Sequence, residues 1–185
     1  MLLFYSWGMT GERRVSADMK KKLTMFFTSQ YGEYRDAVLS GKRNAGLLEL
    51  AMVKRQERDL ATLQGWHFDM HRACAPLIWF AANLKFPSGE KKGQHLKLEP
   101  WQVWIVMVLF GWVDSGGNRR YHNAYVEIAR KNGKSTWAAA VLCYLAFSLN
   151  EQNGTPCYIG ATDLDQAGEV FERAAACLSI LPVRV

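Results

Sequence analysis

Hydrophobic and polar positions along the chain change texture twice. Residues 1–16 carry Gly8 and Gly11 and no clear period, which reads as an irregular tail. From Ala17 to Phe86 the pattern is helical, with long runs poor in strand formers at Tyr31–Leu39, Ala45–Gln64 and Asp69–Lys85. In the last run Met70, Cys74, Leu77, Ile78, Ala81 and Leu84 recur at helical spacing. Pro76 inside it should kink the helix or mark its true start. Pro87–Gly93 reads as a flexible loop and a boundary.

Beyond it, Pro100 suits a first helical position, and Trp101–Trp112 is apolar almost all round, as a buried helix is. Ser115–Asn118 is a turn. Tyr121–Ala129 alternates and is β-branched and aromatic, the pattern of a strand. A helix over Lys134–Leu149, a short strand over Cys157–Ala161 and a helix over Asp163–Leu178 follow. Strand, turn, helix, strand and helix make a βαβ unit, so the expected fold class is α/β with a parallel sheet, preceded by an α-helical region. The expected organisation is a tail over 1–16, a helical region over 17–97 and an α/β region over 98–185. No internal repeat is visible.

Composition narrows the class. Hydrophobic residues at 49% and charged residues at 22% describe a globular chain and exclude general disorder. The longest apolar runs, Trp101–Val113 and Trp137–Leu149, fall short of the ~20 residues a membrane helix needs. No signal peptide is evident, and a soluble cytoplasmic protein is expected. A net charge of +6 favours a polyanionic partner only weakly. Lys54–Asp59 reads as the solvated face of a helix. Cys74, Cys143, Cys157 and Cys177 form no C-x-x-C pair and sit in apolar surroundings, as reduced core thiols do. His67, His71 and Cys74 at i, i+4 and i+7 offer three zinc ligands on one helix face but no fourth, and core packing accounts for them without a metal.

The chemically informative stretch is Val126–Thr136. A loop between a strand and a helix leaves free backbone N–H groups where the helix dipole favours an anion. In Asn132-Gly133-Lys134-Ser135-Thr136, Gly133 would let the backbone approach a phosphate, Lys134 would reach its oxygens, and Ser135 would serve Mg²⁺. The usual phosphate-loop pattern asks for glycine where Ile128 stands, so on spacing alone a plain strand-to-helix turn competes. Arg130 reads either as a cation that stabilises a γ-phosphoryl group or as an exposed loop arginine.

Several blocks in order carry a resemblance: Leu98-Glu99-Pro100-Trp101-Gln102, Leu109-Phe110-Gly111-Trp112, Arg119-Arg120, Ala124-Tyr125-Val126-Glu127, Arg130 to Thr136, Ala161-Thr162-Asp163 and Asp165-Gln166-Ala167. Together, over about residues 68–180, they resemble the N-terminal ATPase region of tailed-phage terminase large subunits. The resemblance implies the N-terminal part of a P-loop NTPase sheet, in which a replaced first glycine is common. It implies ATP and Mg²⁺ as cofactors, Lys134 on the β/γ-phosphates, Ser135 or Thr136 at the metal, and Arg130 as the family's in-loop arginine. Asn132 and Gly133 would line the loop. Trp101 and Gln102 resemble the adenine-recognition motif, with a buried helix start as their other reading. Thr162 and Gln166 resemble the segment after the second strand, and Thr162–Asp165 also fits a helix cap. Double-stranded phage DNA, a small terminase subunit and a portal protein are the implied partners, in an oligomeric motor without a membrane.

Hydrolysis in this class needs an apolar strand ending in Asp and a neighbouring Glu. No such strand follows the loop, and the chain ends about fifty residues beyond Lys134. The expectation is an ATP-binding portion truncated before those carboxylates and before the nuclease, as a split reading frame or a decayed prophage would leave. The alternative is a non-catalytic assembly or DNA-binding fragment. A small nucleotide kinase is a third reading, but it lacks room for an acceptor site and lid.

Overall fold

The computed structural model describes residues 6–7, 13–148, 157–162 and 164–178. Their elements run β1 (Ser6–Trp7), β2 (Arg13–Arg14), α1 (Ala17–Leu39), α2 (Leu47–Thr62), β3 (His67–Phe68), α3 (Met70–Asn83), α4 (Pro100–Gly111), β4 (Trp112–Val113), α5 (Lys134–Phe147) and α6 (Leu164–Leu178). Two short antiparallel ladders, β1 with β2 and β3 with β4, are the sheets among the described residues. Each helix expected from the spacing is present.

A parallel sheet is not shown among the described residues. Tyr121–Ala129 and Cys157–Ala161 carry no strand. A strand is a property of a pair, because its N–H and C=O groups need a neighbouring ladder. Alternation of residue types gives such a segment a face but supplies no partner. Residues 6–7, read as irregular, do find one in residues 13–14. Asp163 and residues 179–185, part of the expected last helix, the cap pattern and the C-terminal end, lie outside the described residues, as do 149–156.

The chain divides into two compact units. One comprises Lys20–Leu77 and Leu98–Tyr125. Its core is aromatic. Phe27, Tyr31, Tyr34 and Val38 recur along α1 at helical spacing and are buried, together with Val103, Trp104, Val106, Met107 and Phe110 from α4. The Trp104 ring stacks on Tyr31 with centroids 6.0 Å apart and planes within 5°, and Tyr34 lies at 5.8 Å on a tilt. Phe68 meets Trp112 edge-on at 5.6 Å, beside the point where α4 gives way to β4. That turn requires glycine, since a Cβ on Gly111 would stand 2.5 Å from Phe68 Cε2 and 2.9 Å from Ala73 Cβ.

A polar chain runs through this core. Trp112 Nε1 donates to Gln56 Oε1 at 2.8 Å, and Gln56 Nε2 donates to the Tyr31 hydroxyl at 2.9 Å. Burial pushes the Tyr31 phenol up to about 12, so it stays protonated. Asp59 accepts from Arg120 Nη1 at 2.8 Å, with Arg58 at 3.2 Å and Arg55 at 3.6 Å. The Lys54–Asp59 run is therefore not simply a solvated face. Lys54, Arg55 and Arg58 are exposed, but Val53, Gln56 and Asp59 at i, i+3 and i+6 form the buried stripe of α2. Buried polar side chains are tolerated there because each has partners.

The other unit comprises Met1–Met19, Ile78–Lys97 and Val126–Val185. The proline-bearing α3 runs unbroken through Pro76 and so contributes residues to both units. Pro76 neither starts nor ends it. Residues 84–96 fold back on themselves, with Leu96 N–H donating to Leu84 O and Phe86 N–H to Gln94 O. Small residues on α5 (Ala139, Ala140, Cys143) are buried along with Ala174 and Cys177 of α6, and the Cys143 thiol approaches Ala174 O at 3.7 Å. Trp79 and Phe80 set their rings edge-on to Tyr144 at 5.9 and 6.1 Å. Cys74, Cys143 and Cys177 are buried thiols as expected, whereas Cys157 is exposed. No helix among the described residues is long and apolar enough to cross a membrane.

Two stability measurements follow. Gly111→Ala should cost about 1–3 kcal/mol in chemical denaturation, because the methyl has to displace the Phe68 ring. Burial pushes the Asp59 pKa up, but hydrogen bonds from Arg120 and Arg58 outweigh it and hold the carboxyl below its ordinary value. A depressed folded-state pKa contributes stability that is full above the unfolded value of about 4 and lost as pH falls through the folded one. Asp59→Ala should cost about 2–3 kcal/mol near neutral pH and flatten the fall in stability below about pH 4.

Candidate functional site

Helix starts leave N–H groups that the helix itself cannot satisfy. Side chains close three of these ends. Ser16 Oγ accepts from Met19 N–H, and Asp69 Oδ1 accepts from His71 and Arg72 N–H at 2.8 and 3.1 Å. At α4 Glu99 and Gln102 form a reciprocal capping box, in which Glu99 N–H donates to Gln102 Oε1 at 2.9 Å and Pro100 opens the helix. Gln102 is 5% exposed and Trp101 half-buried. The structure thus engages Gln102 in holding the helix start.

At α2 and α5 the N-cap is a glycine without a side-chain cap, extended at Gly46 of α2 and left-handed at α5. The α5 N-cap is Gly133, in the left-handed region at φ 72° and ψ 14°, and no side chain caps the end. Trp137 N–H donates to Gly133 O at 2.9 Å, which leaves Lys134, Ser135 and Thr136 as the first turn. No acidic residue occupies that turn to answer the helix dipole, in contrast to Glu49 in the first turn of α2. Arg130, Lys131, Asn132, Gly133 and Lys134 are exposed, and Ser135 and Thr136 are half-buried. Buried Trp137, Ala139 and Ala140 hold the helix behind them.

The loop before the helix is strained. Lys131 has φ 68°, the one non-glycine positive φ among the described residues. The backbone is left-handed at 131 and 133 but not at 132, and it turns helical from 134; a nest, in which right- and left-handed residues alternate, would turn its N–H groups toward one concavity. Such strain persists only where its surroundings hold it, and it gathers at functional loops. The Asn132 side chain folds back, with Nδ2 donating to Ala129 O at 3.2 Å and to Arg130 O at 3.4 Å. Lys131 is the loop residue that sequence reasoning passed over. Asn-Gly pairs favour left-handed backbone, so Asn132 was the residue to suspect, yet the lysine before it takes that conformation.

The site residues read from the sequence fall into the two units. Arg130, Asn132, Gly133, Lys134, Ser135 and Thr136 come together as one loop and helix start in the second unit, whereas Trp101 and Gln102 belong to the first. Thr162 is exposed. His67 lies in β3 and so does not share a helix face with His71 and Cys74. No cluster of three or more His, Cys, Asp or Glu among the described residues is arranged to hold a metal ion.

Residues 100–185 match the family model of the terminase large subunit, ATPase domain. That stretch contains the loop, and the match supports a fragment of a phage terminase large subunit. Among the curated proteins and the solved structures nothing matches the chain.

The capping box gives a direct check on Gln102. Gln102→Ala should cost about 1 kcal/mol in thermal or chemical unfolding, because it leaves the Glu99 N–H without its acceptor.

Proposed function

We propose that this chain binds ATP with Mg²⁺ through the loop Arg130–Thr136, as the nucleotide-binding portion of a phage DNA-packaging motor. The carrying observation is the uncapped start of α5 behind a left-handed Gly133, with three cationic side chains and no acidic one at the end. In this reading the first-turn N–H groups receive the β-phosphate. Lys134 reaches the β- and γ-oxygens. Ser135 donates its hydroxyl oxygen to the metal, with Thr136 beside it. Mg²⁺ keeps several waters and takes few protein ligands, so one hydroxyl beside phosphate oxygens suits it. Arg130, exposed at the head of the loop, is placed in sequence to answer charge on the γ-phosphoryl group.

The parallel sheet of a P-loop ATPase is part of the same reading. Residues 121–129 and 157–161 are the segments we assign to it. Tyr125 and Tyr158, each 89% exposed, are aromatic side chains of the kind that a completed sheet and its flanking layers bury. Hydrolysis would require an acidic pair on a further strand, and none follows α5 among the described residues. We assign nucleotide binding to this chain. Adenine recognition by Trp101 and Gln102 requires Gln102 to serve the base from within, or after leaving, its capping box. Duplex DNA, a small terminase subunit and a portal protein are the partners this function calls for.

The absence of a strand among the described residues on either side of α5 favours one second reading, a non-catalytic assembly or DNA-binding fragment. Titration with a fluorescent ATP analogue in the presence of Mg²⁺ separates the two. Saturable binding that weakens at least about 100-fold in Lys134→Ala, a loss of about 2.7 kcal/mol, is the expected result. A folded wild-type chain that does not bind the analogue would leave the assembly reading.

A further inference from the structure

The loop poses a question that its motif does not answer, which is why a lysine sits in left-handed backbone. Glycine, asparagine and aspartate enter that region readily, and lysine does so only under constraint. The constraint visible here is the Asn132 carboxamide. Its Nδ2 reaches back to the carbonyl oxygens of Ala129 and Arg130, which closes a short ring around the Arg130–Lys131 peptide. The 3.2 Å bond to Ala129 is within normal range, and the 3.4 Å bond to Arg130 is its weaker companion. Side chains of this type compete locally with secondary structure by bonding backbone two or three residues away, and a loop is where that competition succeeds.

We propose that Asn132 is a positioning residue for the phosphate loop: its carboxamide holds Lys131 left-handed, and so presets the alternation that aims the following N–H groups at an anion. Asn132 then acts through the backbone rather than as a nucleotide ligand. Two carbonyl oxygens that would otherwise be free to turn toward a bound phosphate are engaged by the amide. This inference rests on the reading of the loop as a phosphate site, but its structural half stands by itself.

A double-mutant cycle tests it, with affinity for the Mg²⁺-bound fluorescent ATP analogue measured for wild type, Asn132→Ala, Lys131→Gly and the double variant. Losing the two bonds should weaken binding about three- to tenfold in the wild-type background. In the Lys131→Gly background, where glycine enters the left-handed region unaided, the same change should cost less than about twofold. An equal loss in both backgrounds would overturn the proposal, because Asn132 would then be acting independently of Lys131. NMR of the nucleotide-free chain supplies the second readout. The intraresidue H–N to Hα contact of Lys131, strong in left-handed backbone, should weaken in Asn132→Ala while the rest of the spectrum stays folded. Its persistence in Asn132→Ala would also overturn the proposal. If wild type binds no nucleotide, the functional reading falls, and this second readout still decides whether Asn132 holds the loop.

Discussion

Unsatisfied N–H groups at helix starts are the constraint around which this molecule is arranged. An α-helix cannot bond its first N–H groups internally, and each needs an acceptor from somewhere. Serine supplies it at α1, aspartate at α3 and a Glu–Gln box at α4. At α5 glycine replaces the capping side chain, and the residues that follow are cationic or hydroxylic. An end left open in this way is stabilised by an external anion more than a capped one is. The difference between α4 and α5 is therefore chemical as well as geometric: one end is closed by its own side chains, and the other carries no side-chain cap.

The unit that contains α4 shows what the closed arrangement supports. With Gln102 committed to the cap, α4 presents Trp104 to the tyrosines of α1 and delivers Gly111 to the Phe68 ring. Trp112 then reaches Gln56, and Arg120 reaches Asp59 while its guanidinium lies 5.3 Å from the Trp112 ring. Satisfied polar groups inside an aromatic core restrict the packings available, since any shift would strand a buried donor or charge. The family match over 100–185 thus includes residues that build this core as well as residues at the loop.

Much of this was legible from the sequence, for reasons that can be stated element by element. Long helices announce themselves through recurring apolar positions, and Pro100 marked the start of α4 because a proline ring is well suited to a first helical residue. Gly-Lys-Ser-Thr before an alanine-rich run marked the turn at Gly133 and the start of α5, both of which the structure has. Three features were hidden. Two-residue strands such as β3 and β4 are too short to show a period. Gln56 and Asp59 looked solvated because their partners, Trp112 and Arg120, lie more than fifty residues away. The left-handed lysine at 131 was invisible, because the bonds accompanying it come from the next side chain rather than from its own identity. The two segments expected as strands show no ladder among the described residues, because residue preference gives a segment its character but does not specify its pairing.

The central claim is that the α5 start receives phosphate through its own backbone. Titrating the ¹⁵N-labelled chain with magnesium pyrophosphate, which carries the charge and geometry of the phosphate chain without base or ribose, tests it most directly. The account predicts saturable shifts that are largest at the amides of Gly133, Lys134, Ser135 and Thr136. Shifts spread over the surface lysines of α1 with those four amides unmoved would contradict it.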